Sequence, residues 1–151
     1  MITAEKKLVL EKSIELKADV AKVWDALTNP EIIKQYLFGT EAVSDWKEGS
    51  PLYFKGVWEG KEYMDKGTIL KMEPGNIFKY LYWSSFSGTE DLLENYATVT
   101  YKLSLIEKGT KLTITQDNIA NEESRQHSEQ NWGMVMEGLR NIVESPVGVR
   151  L

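Results

Sequence analysis

Turn-forming motifs divide residues 39–118 into a row of short segments with the composition of β-strands. Each of the four motifs contains a glycine, and they occupy positions 48–51 (EGSP), 59–61 (EGK), 73–76 (EPGN) and 107–109 (EKG). Motifs of this kind connect consecutive strands as hairpins. The segments that they delimit are 40–45, 51–58, 62–73, 76–83, 96–106 and 110–118. Since a hairpin reverses the chain, the pattern predicts an antiparallel sheet.

The residues before this region predict one further strand and two short helices. Apolar and polar residues alternate from 8 to 16, which is typical of a half-buried strand, although Lys12 falls among the apolar positions without an evident reason. Asp19 can cap a helix that ends at Asn29, because the residue before Pro30 disfavours helical angles. A second short helix is expected over residues 31–36, with the proline at its start.

A long helix is predicted from about Glu122 to Glu144, followed by Pro146. Trp132 and Met136 belong to an apolar stripe that continues through Leu139 and Val143, all within about 40° of the direction of Trp132 around the helix. Such a stripe packs against a sheet. By contrast, the single histidine, His127, lies about 140° from Trp132 and should face solvent.

Composition excludes several classes of function. The chain has 151 residues, no cysteine and one histidine, so thiol catalysis, disulfides and sites made of several histidines are excluded. The net charge of −5 argues against nucleic-acid binding, which needs a basic surface. The sequence shows no apolar run of the ~20 residues that a membrane span requires and no signal-like start, and we therefore expect a cytoplasmic protein.

The sequence also resembles a known family over nearly its whole length. Residues 18–31, ADVAKVWDALTNPE, are similar to the family opening A-P-x-x-x-V-W-x-A-L-T-x-P-E, with Asp19 in place of the usual proline. Further similarities lie at 67–74 (GTILKMEP), 96–103 (YATVTYKL), 109–114 (GTKLTI) and 131–139 (NWGMVMEGL). The family is the START-like superfamily, in the branch that resembles the C-terminal domain of the heat-shock-protein-90 ATPase activator.

The order of elements and this resemblance together predict an α+β helix-grip fold. We expect a curved seven-stranded antiparallel sheet around the long C-terminal helix, with two short helices after the first strand, in a single domain over residues 1–151. The resemblance leaves function open, because the superfamily includes lipid carriers, hormone receptors, cyclases and co-chaperones.

Alternation along the strands predicts which side chains line the space between sheet and helix. Aromatic residues with polar tips recur on the inward positions, as in a pocket for an apolar molecule that carries a few polar atoms. The alternative is that these rings simply fill the core. The predicted ligand-binding residues are Phe54, Trp58, Tyr80, Tyr82, Tyr101, Gln116, Trp132 and Met136.

Few charged residues are candidates for this site. Arg125 and Glu129 lie one helical turn apart and on the side of Trp132, so they are predicted to form a polar pair at the pocket mouth, or else an ordinary exposed helix pair. Asp65 is the one carboxylate in a strand centre that might face inward, and we expect it to be solvated or paired with a lysine. Residues 84–95 are expected to form a mobile acidic loop.

Three functions therefore compete. The first is binding of an apolar or amphipathic small molecule, lipid-like or aromatic, between sheet and helix. The second is an interaction module with a chaperone as partner, and the third is a cyclase-like enzyme. The sequence contains no nucleophile or phosphate-binding motif, and no catalytic residue, metal or cofactor is predicted.

Overall fold

The computed structural model describes residues 7–84 and 88–144, apart from the side chain of Trp58. Over these residues the chain forms seven strands, three α-helices and one short 3-10 turn at Leu93–Asn95. The elements are β1 (Leu8–Leu16), α1 (Val20–Thr28), α2 (Pro30–Tyr36), β2 (Glu41–Ser44), β3 (Pro51–Trp58), β4 (Lys61–Glu73), β5 (Ile77–Trp83), β6 (Ala97–Ile106), β7 (Gly109–Ile119) and α3 (Glu122–Val143).

The seven strands form one antiparallel sheet in the order β1-β7-β6-β5-β4-β3-β2. Strands β2 to β7 are neighbours in sequence order, as expected for consecutive hairpins. Strand β1 joins the far edge by pairing with β7, because α1 and α2 separate it from β2. The predicted seven-stranded sheet with a long C-terminal helix is confirmed.

Side-chain caps set the start of each helix. The carboxylate of Asp19 accepts a hydrogen bond from the backbone N–H of Lys22 at 2.9 Å, and Asn29 caps α2 in the same way through the N–H of Glu31 at 3.0 Å. At α3, Asn121 accepts from the N–H of Ser124 at 2.8 Å. A cap of this type contributes about 1 kcal/mol.

Strand β4 has apolar residues in both alternations, and a bulge explains this. The pairing of β4 with β5 shifts between Ile69 and Lys71, so the alternation changes phase there. Before the bulge, Asp65 and Ile69 face the interior and are buried. After it, Met72 packs against the core.

Helix α3 packs along β1 and β7 and against both short helices. Its C-terminal half supplies the buried residues Val135, Met136, Leu139 and Val143. His127, in the other half, is exposed as predicted. No helix within the described ranges is long and apolar enough to cross a membrane.

Residues 88–95 are bound to the sheet at several points, in contrast to the mobile loop that the sequence suggested. The Trp83 indole donates to the hydroxyl of Thr89 at 3.1 Å, and the hydroxyl of Tyr96 donates to Asp91 at 2.5 Å. Lys66 forms an ion pair with the same carboxylate. The ion pair raises the pKa of Lys66 and lowers that of Asp91. Residues 85–87, the rest of the connection after Ser84, lie outside the described part of the chain.

Candidate functional site

Five aromatic residues form a continuous set of ring contacts on the concave face of the sheet, and we call this set the aromatic ladder. Successive ring centroids lie 5.8 Å apart for Phe54 and Tyr82, 6.4 Å for Tyr82 and Tyr80, 5.6 Å for Tyr80 and Tyr101, and 5.9 Å for Tyr101 and Trp132. All four pairs meet edge to face, the geometry that aromatic quadrupoles favour. The ladder thus leads from β3 through β5 and β6 to α3.

The middle of the ladder is buried and its polar groups are hydrogen-bonded. The hydroxyl groups of Tyr80 and Tyr101 lie 2.9 Å apart and form a hydrogen bond with each other. Burial raises the pKa of Tyr101 to about 12 and raises the pKa of Tyr80 well above its ordinary value. Both phenols are therefore neutral hydrogen-bonding groups at physiological pH.

At the β-strand end of the ladder, the hydroxyl of Tyr82 donates a hydrogen bond of 2.6 Å to the carboxylate of Asp65. The residue is only 7% exposed, because Asp65 faces inward opposite Phe54. Burial, followed by the nearby charge of Asp65, raises the pKa of Tyr82. Of the two expectations for Asp65, a solvated carboxylate was therefore wrong: Asp65 belongs to the concave lining and accepts a hydrogen bond from a phenol.

At the helical end of the ladder, the indole N–H of Trp132 donates to the side-chain oxygen of Gln116 at 2.8 Å. Both residues are only half-buried. Gln116 lies between Val99 and Leu10 in the sheet register, so its amide stands on the concave face beside the ladder. A polar side chain is therefore hydrogen-bonded to the ladder near each end, the carboxylate of Asp65 on β4 and the amide of Gln116 on β7.

Arg125 and Glu129 form no direct ion pair, although the charge of Glu129, after that of Glu122, helps to raise the pKa of Arg125. Arg125 instead bonds Glu122 through two nitrogens, at 3.0 and 2.7 Å, because the first turn of α3 places that carboxylate within reach. Glu129 forms an ion pair with Lys12 at 3.8 Å. This contact explains the lysine among the apolar positions of β1: its stem passes Gly133, 3.6 Å from where a Cβ would lie, and its ammonium reaches the helix.

The described residues enclose no cavity of ligand size between the sheet and α3, because the aromatic ladder fills that space. A depression of about 620 Å³ lies instead between α1 and the turn that joins β4 to β5, where it is open to solvent. Trp24, Asp25 and Pro74 are among the residues that line it. We call this depression the α1 groove.

The structure brings most of the predicted site residues together on one face. Phe54, Tyr80, Tyr101 and Met136 are buried, whereas Tyr82, Gln116 and Trp132 are half-buried around them. Among the predicted residues, the side chain of Trp58 lies outside the described part of the structure.

Sequence reasoning missed the roles of Asp65 and Lys12. The sequence did contain a signal that Asp65 faces inward. Asp65 lies two residues before Gly67 and four before Ile69, so all three share one face of the strand, and Ile69 is an obvious core residue. The bulge after Ile69 hid this relationship. No sequence signal identified the partner of Lys12, which lies 117 positions away on α3.

Comparisons with known proteins support this fold. The solution structure of ChR145 from Cytophaga hutchinsonii is 48% identical, with 93% of this chain and 96% of that chain covered and a TM-score of 0.82. Two crystal structures share the fold at lower identity. CalU16 from Micromonospora echinospora is 21% identical, with 91% and 76% of the two chains covered and a TM-score of 0.66. Ara h 8.0201 is 14% identical, with 93% and 99% covered and a TM-score of 0.76. A comparison with curated proteins found no match.

A family model matches residues 17–144, which include α1, every strand from β2 to β7 and the whole of α3. Its description is activator of Hsp90 ATPase homolog 1-like protein. The helix-grip fold, the motifs at 18–31 and 131–139 and this match agree with one another, and the chain belongs to the family of activator of Hsp90 ATPase homolog 1-like proteins.

Proposed function

We propose that this protein binds an apolar or amphipathic small molecule on the concave face of its sheet, against the aromatic ladder. The observation that carries the proposal is the composition of this face. Aromatic rings run continuously from Phe54 to Trp132, and all of them except Phe54 carry a hydroxyl or an N–H group. Asp65 accepts a hydrogen bond from Tyr82 near one end, and Gln116 accepts one from Trp132 at the other. A core that only needed filling would be served by aliphatic residues, which require no partner for a buried hydroxyl or N–H.

The ends of the ladder are where a ligand gains access. Tyr82 and Trp132 are half-buried, so part of each ring faces solvent, whereas Tyr80 between them is 3% exposed. Because the interior is filled, a ligand binds at this half-buried rim and reaches deeper as Tyr82 or Trp132 turns aside. Apolar contact then supplies about 25 cal/mol per Å² of buried area, less the cost of ordering. Gln116 fixes the orientation through its amide.

Native mass spectrometry of the purified protein tests for a bound molecule. A fluorescence titration tests where on the protein a ligand binds. We expect aromatic and fatty amphiphiles to change the tryptophan emission of the wild type, and Trp132→Phe to remove most of this change. Trp24→Phe is the control, because Trp24 lines the α1 groove and contacts Phe78, which is not one of the five rings of the ladder. A change that depends on Trp24 and persists in Trp132→Phe would contradict the proposed site.

A second function, docking on a chaperone, is favoured by the filled interior and the α1 groove. The groove is open, about 620 Å³ in volume, and combines Trp24 and Pro74 with the charge of Asp25. The family description names an ATPase activator, so the partner to test is a heat-shock-protein-90 chaperone. If docking is the function, the protein stimulates the ATPase of that chaperone and Trp24→Ala abolishes the stimulation, while Trp132→Phe does not.

A further inference from the structure

The convex face of the sheet, on the other side from the aromatic ladder, has two halves of different composition. On β6, β7 and β1 its side chains are hydroxyls and charges, as in the row formed by Thr100, Thr115 and Glu11. A polar row of this kind is expected on the solvent side of an antiparallel sheet. On β3, β4 and β5 the same face instead carries aromatic and apolar side chains.

The register shows how these apolar side chains come together. Tyr53 on β3 and Trp83 on β5 lie in one row across the sheet, because both are directly opposite Lys66 on β4. Farther along the same face, Val57 on β3 is 63% exposed and Met64 on β4 is 45% exposed. Four large apolar or aromatic side chains therefore occupy positions where the alternation of a half-buried strand places polar ones.

The loop after β5 adds two leucines to this surface. An ion pair between Asp91 of the loop and Lys66 holds the loop on the convex side. Next to Asp91, Leu92 is 47% exposed and Leu93 is 75% exposed. Apolar side chains that are gathered in this way mark an interaction surface, whereas single ones need no explanation. The convex patch is our name for Tyr53, Val57, Met64, Trp83, Leu92 and Leu93.

The convex patch is bordered by negative charge. Four exposed glutamates flank it and form no salt bridge within the described ranges, namely Glu59, Glu62, Glu90 and Glu94. Of the nearby lysines, Lys66 pairs with Asp91 and Lys55 lies opposite Glu41. Lys61, at the start of β4, offsets one of the four glutamates. The acidic border disfavours the same patch of a second copy and an anionic lipid surface, and it favours a basic partner.

We propose that the convex patch docks an amphipathic helix of a partner protein, with its apolar stripe on the patch and its lysines or arginines toward the glutamates. An apolar sheet face is normally covered by a layer of helices, and the exposure of the patch shows that no described helix of this chain covers it. Two strand spacings separate Tyr53 from Trp83, about 10 Å, which is the width of one helix. The inference is independent of the proposed function, because the ladder lies on the other face and the α1 groove shares no residue with the patch.

Peptides of opposite charge test the chemistry of the partner on the wild-type protein. The probe is a fluorescent peptide of about 18 residues, made of leucine and lysine with the leucines on one helical face. One counterpart has glutamate in place of each lysine, and another has the same residues in scrambled order. We expect micromolar binding of the helical lysine peptide, about tenfold tighter than that of either counterpart and weakened by salt. Equal binding of a counterpart, or no binding of any peptide, overturns the inference.

Matched variants then locate the binding. Leu93→Ser removes an apolar group from the patch, and we expect it to weaken binding of the lysine peptide about tenfold. Leu105→Ser is the control and should leave the affinity unchanged, because Leu105 is 81% exposed near the other end of β6. Glu62→Gln should weaken binding at low salt, whereas Glu107→Gln, in the turn after β6, should not. Equal effects within either pair of variants would show that the peptide binds elsewhere.

Sedimentation of the wild type and its binding to phosphatidylcholine vesicles test the other occupants. We expect a monomer that does not bind the vesicles. A dimer that Leu93→Ser dissociates would assign the patch to a second copy, and vesicle binding that the same variant abolishes would assign it to a lipid surface. Either result overturns the inference. If Leu93→Ser does not fold, the ranking of the three peptides on the wild type still decides.

Discussion

The hydroxyl groups of Tyr80 and Tyr101 share a hydrogen bond of 2.9 Å in the middle of the sheet, with their rings at 89° to each other. The two residues stand on neighbouring strands, diagonal to each other in the register of β5 and β6. One hydroxyl donates and the other accepts, so each phenol has a hydrogen-bond partner inside the core. The described part of the chain contains no buried side-chain polar atom without a partner.

This pair makes the fold sensitive to alkaline pH. Burial raises the pKa of Tyr101 from 10.0 to about 12, and the pKa of Tyr80 is raised as well. The folded state therefore holds protons that the unfolded state releases, and stability is lost as pH rises above about 10 toward the folded pKa. For Tyr101 alone the loss is about 2 kcal/mol at pH 12.

Urea unfolding at a series of pH values measures this loss. Tyr101→Phe should flatten the alkaline part of the curve, because the group that titrates is removed. Phenolate absorbance of the folded protein provides a direct check. If all seven tyrosines titrate near 10 while the protein stays folded, the burial of the pair is wrong.

Gly67 is required where β4 approaches β5. A Cβ at this position would lie 1.5 Å from the carbonyl oxygen of Leu81, a backbone atom that cannot move aside without separating the strands. We expect Gly67→Ala to lower the free energy of unfolding by about 3 kcal/mol or more. Thr68→Ala, at the next residue on the convex face, should cost only about 1 kcal/mol. Comparable unfolding midpoints for the two variants would contradict the close approach.

The two glycines of α3 should respond differently to alanine. At Gly133 a Cβ would meet only the Lys12 stem at 3.6 Å, so Gly133→Ala should stabilise the protein by about 1 kcal/mol through helix propensity. At Gly138 it would lie 3.2 Å from the Cβ of Tyr36, so crowding against α2 should cancel that gain. Thermal melts of the two variants make the comparison. A larger gain at Gly138 would show that α2 and α3 are less tightly packed.

Burial along α3 predicts a second contrast. Met136 is 2% exposed, and Met136→Ala should destabilise by about 2–5 kcal/mol. His127 is exposed, and His127→Ala should change stability by less than about 0.5 kcal/mol. Denaturant midpoints that ranked the two variants in the opposite order would mean that α3 presents another face to the sheet.

The fold was predictable because it depends on local patterns. Turn glycines, strand alternation and the stripe that includes Trp132 and Met136 each lie within one element, and their order along the chain fixes the sheet. The concave aromatics followed from the same alternation. The partners of Asp65 and Lys12 did not, because the first depends on a bulge in β4 and the second on how far α3 extends over β1. The pair of Arg125 and Glu129 failed since helical spacing alone could not rank it against the competing carboxylate of Glu122.

The central claim is that the concave aromatic ladder is a ligand-binding surface. Its most direct test is a titration of the isotope-labelled protein with phenylbutylamine. The titration is monitored by NMR, through the chemical shifts of backbone amides and aromatic side chains. We predict saturable shifts concentrated at Asp65, Tyr82, Tyr101 and Trp132, with the α1 residues Ala21 and Trp24 unchanged. Shifts confined to the α1 groove, or none at millimolar probe, would contradict the claim.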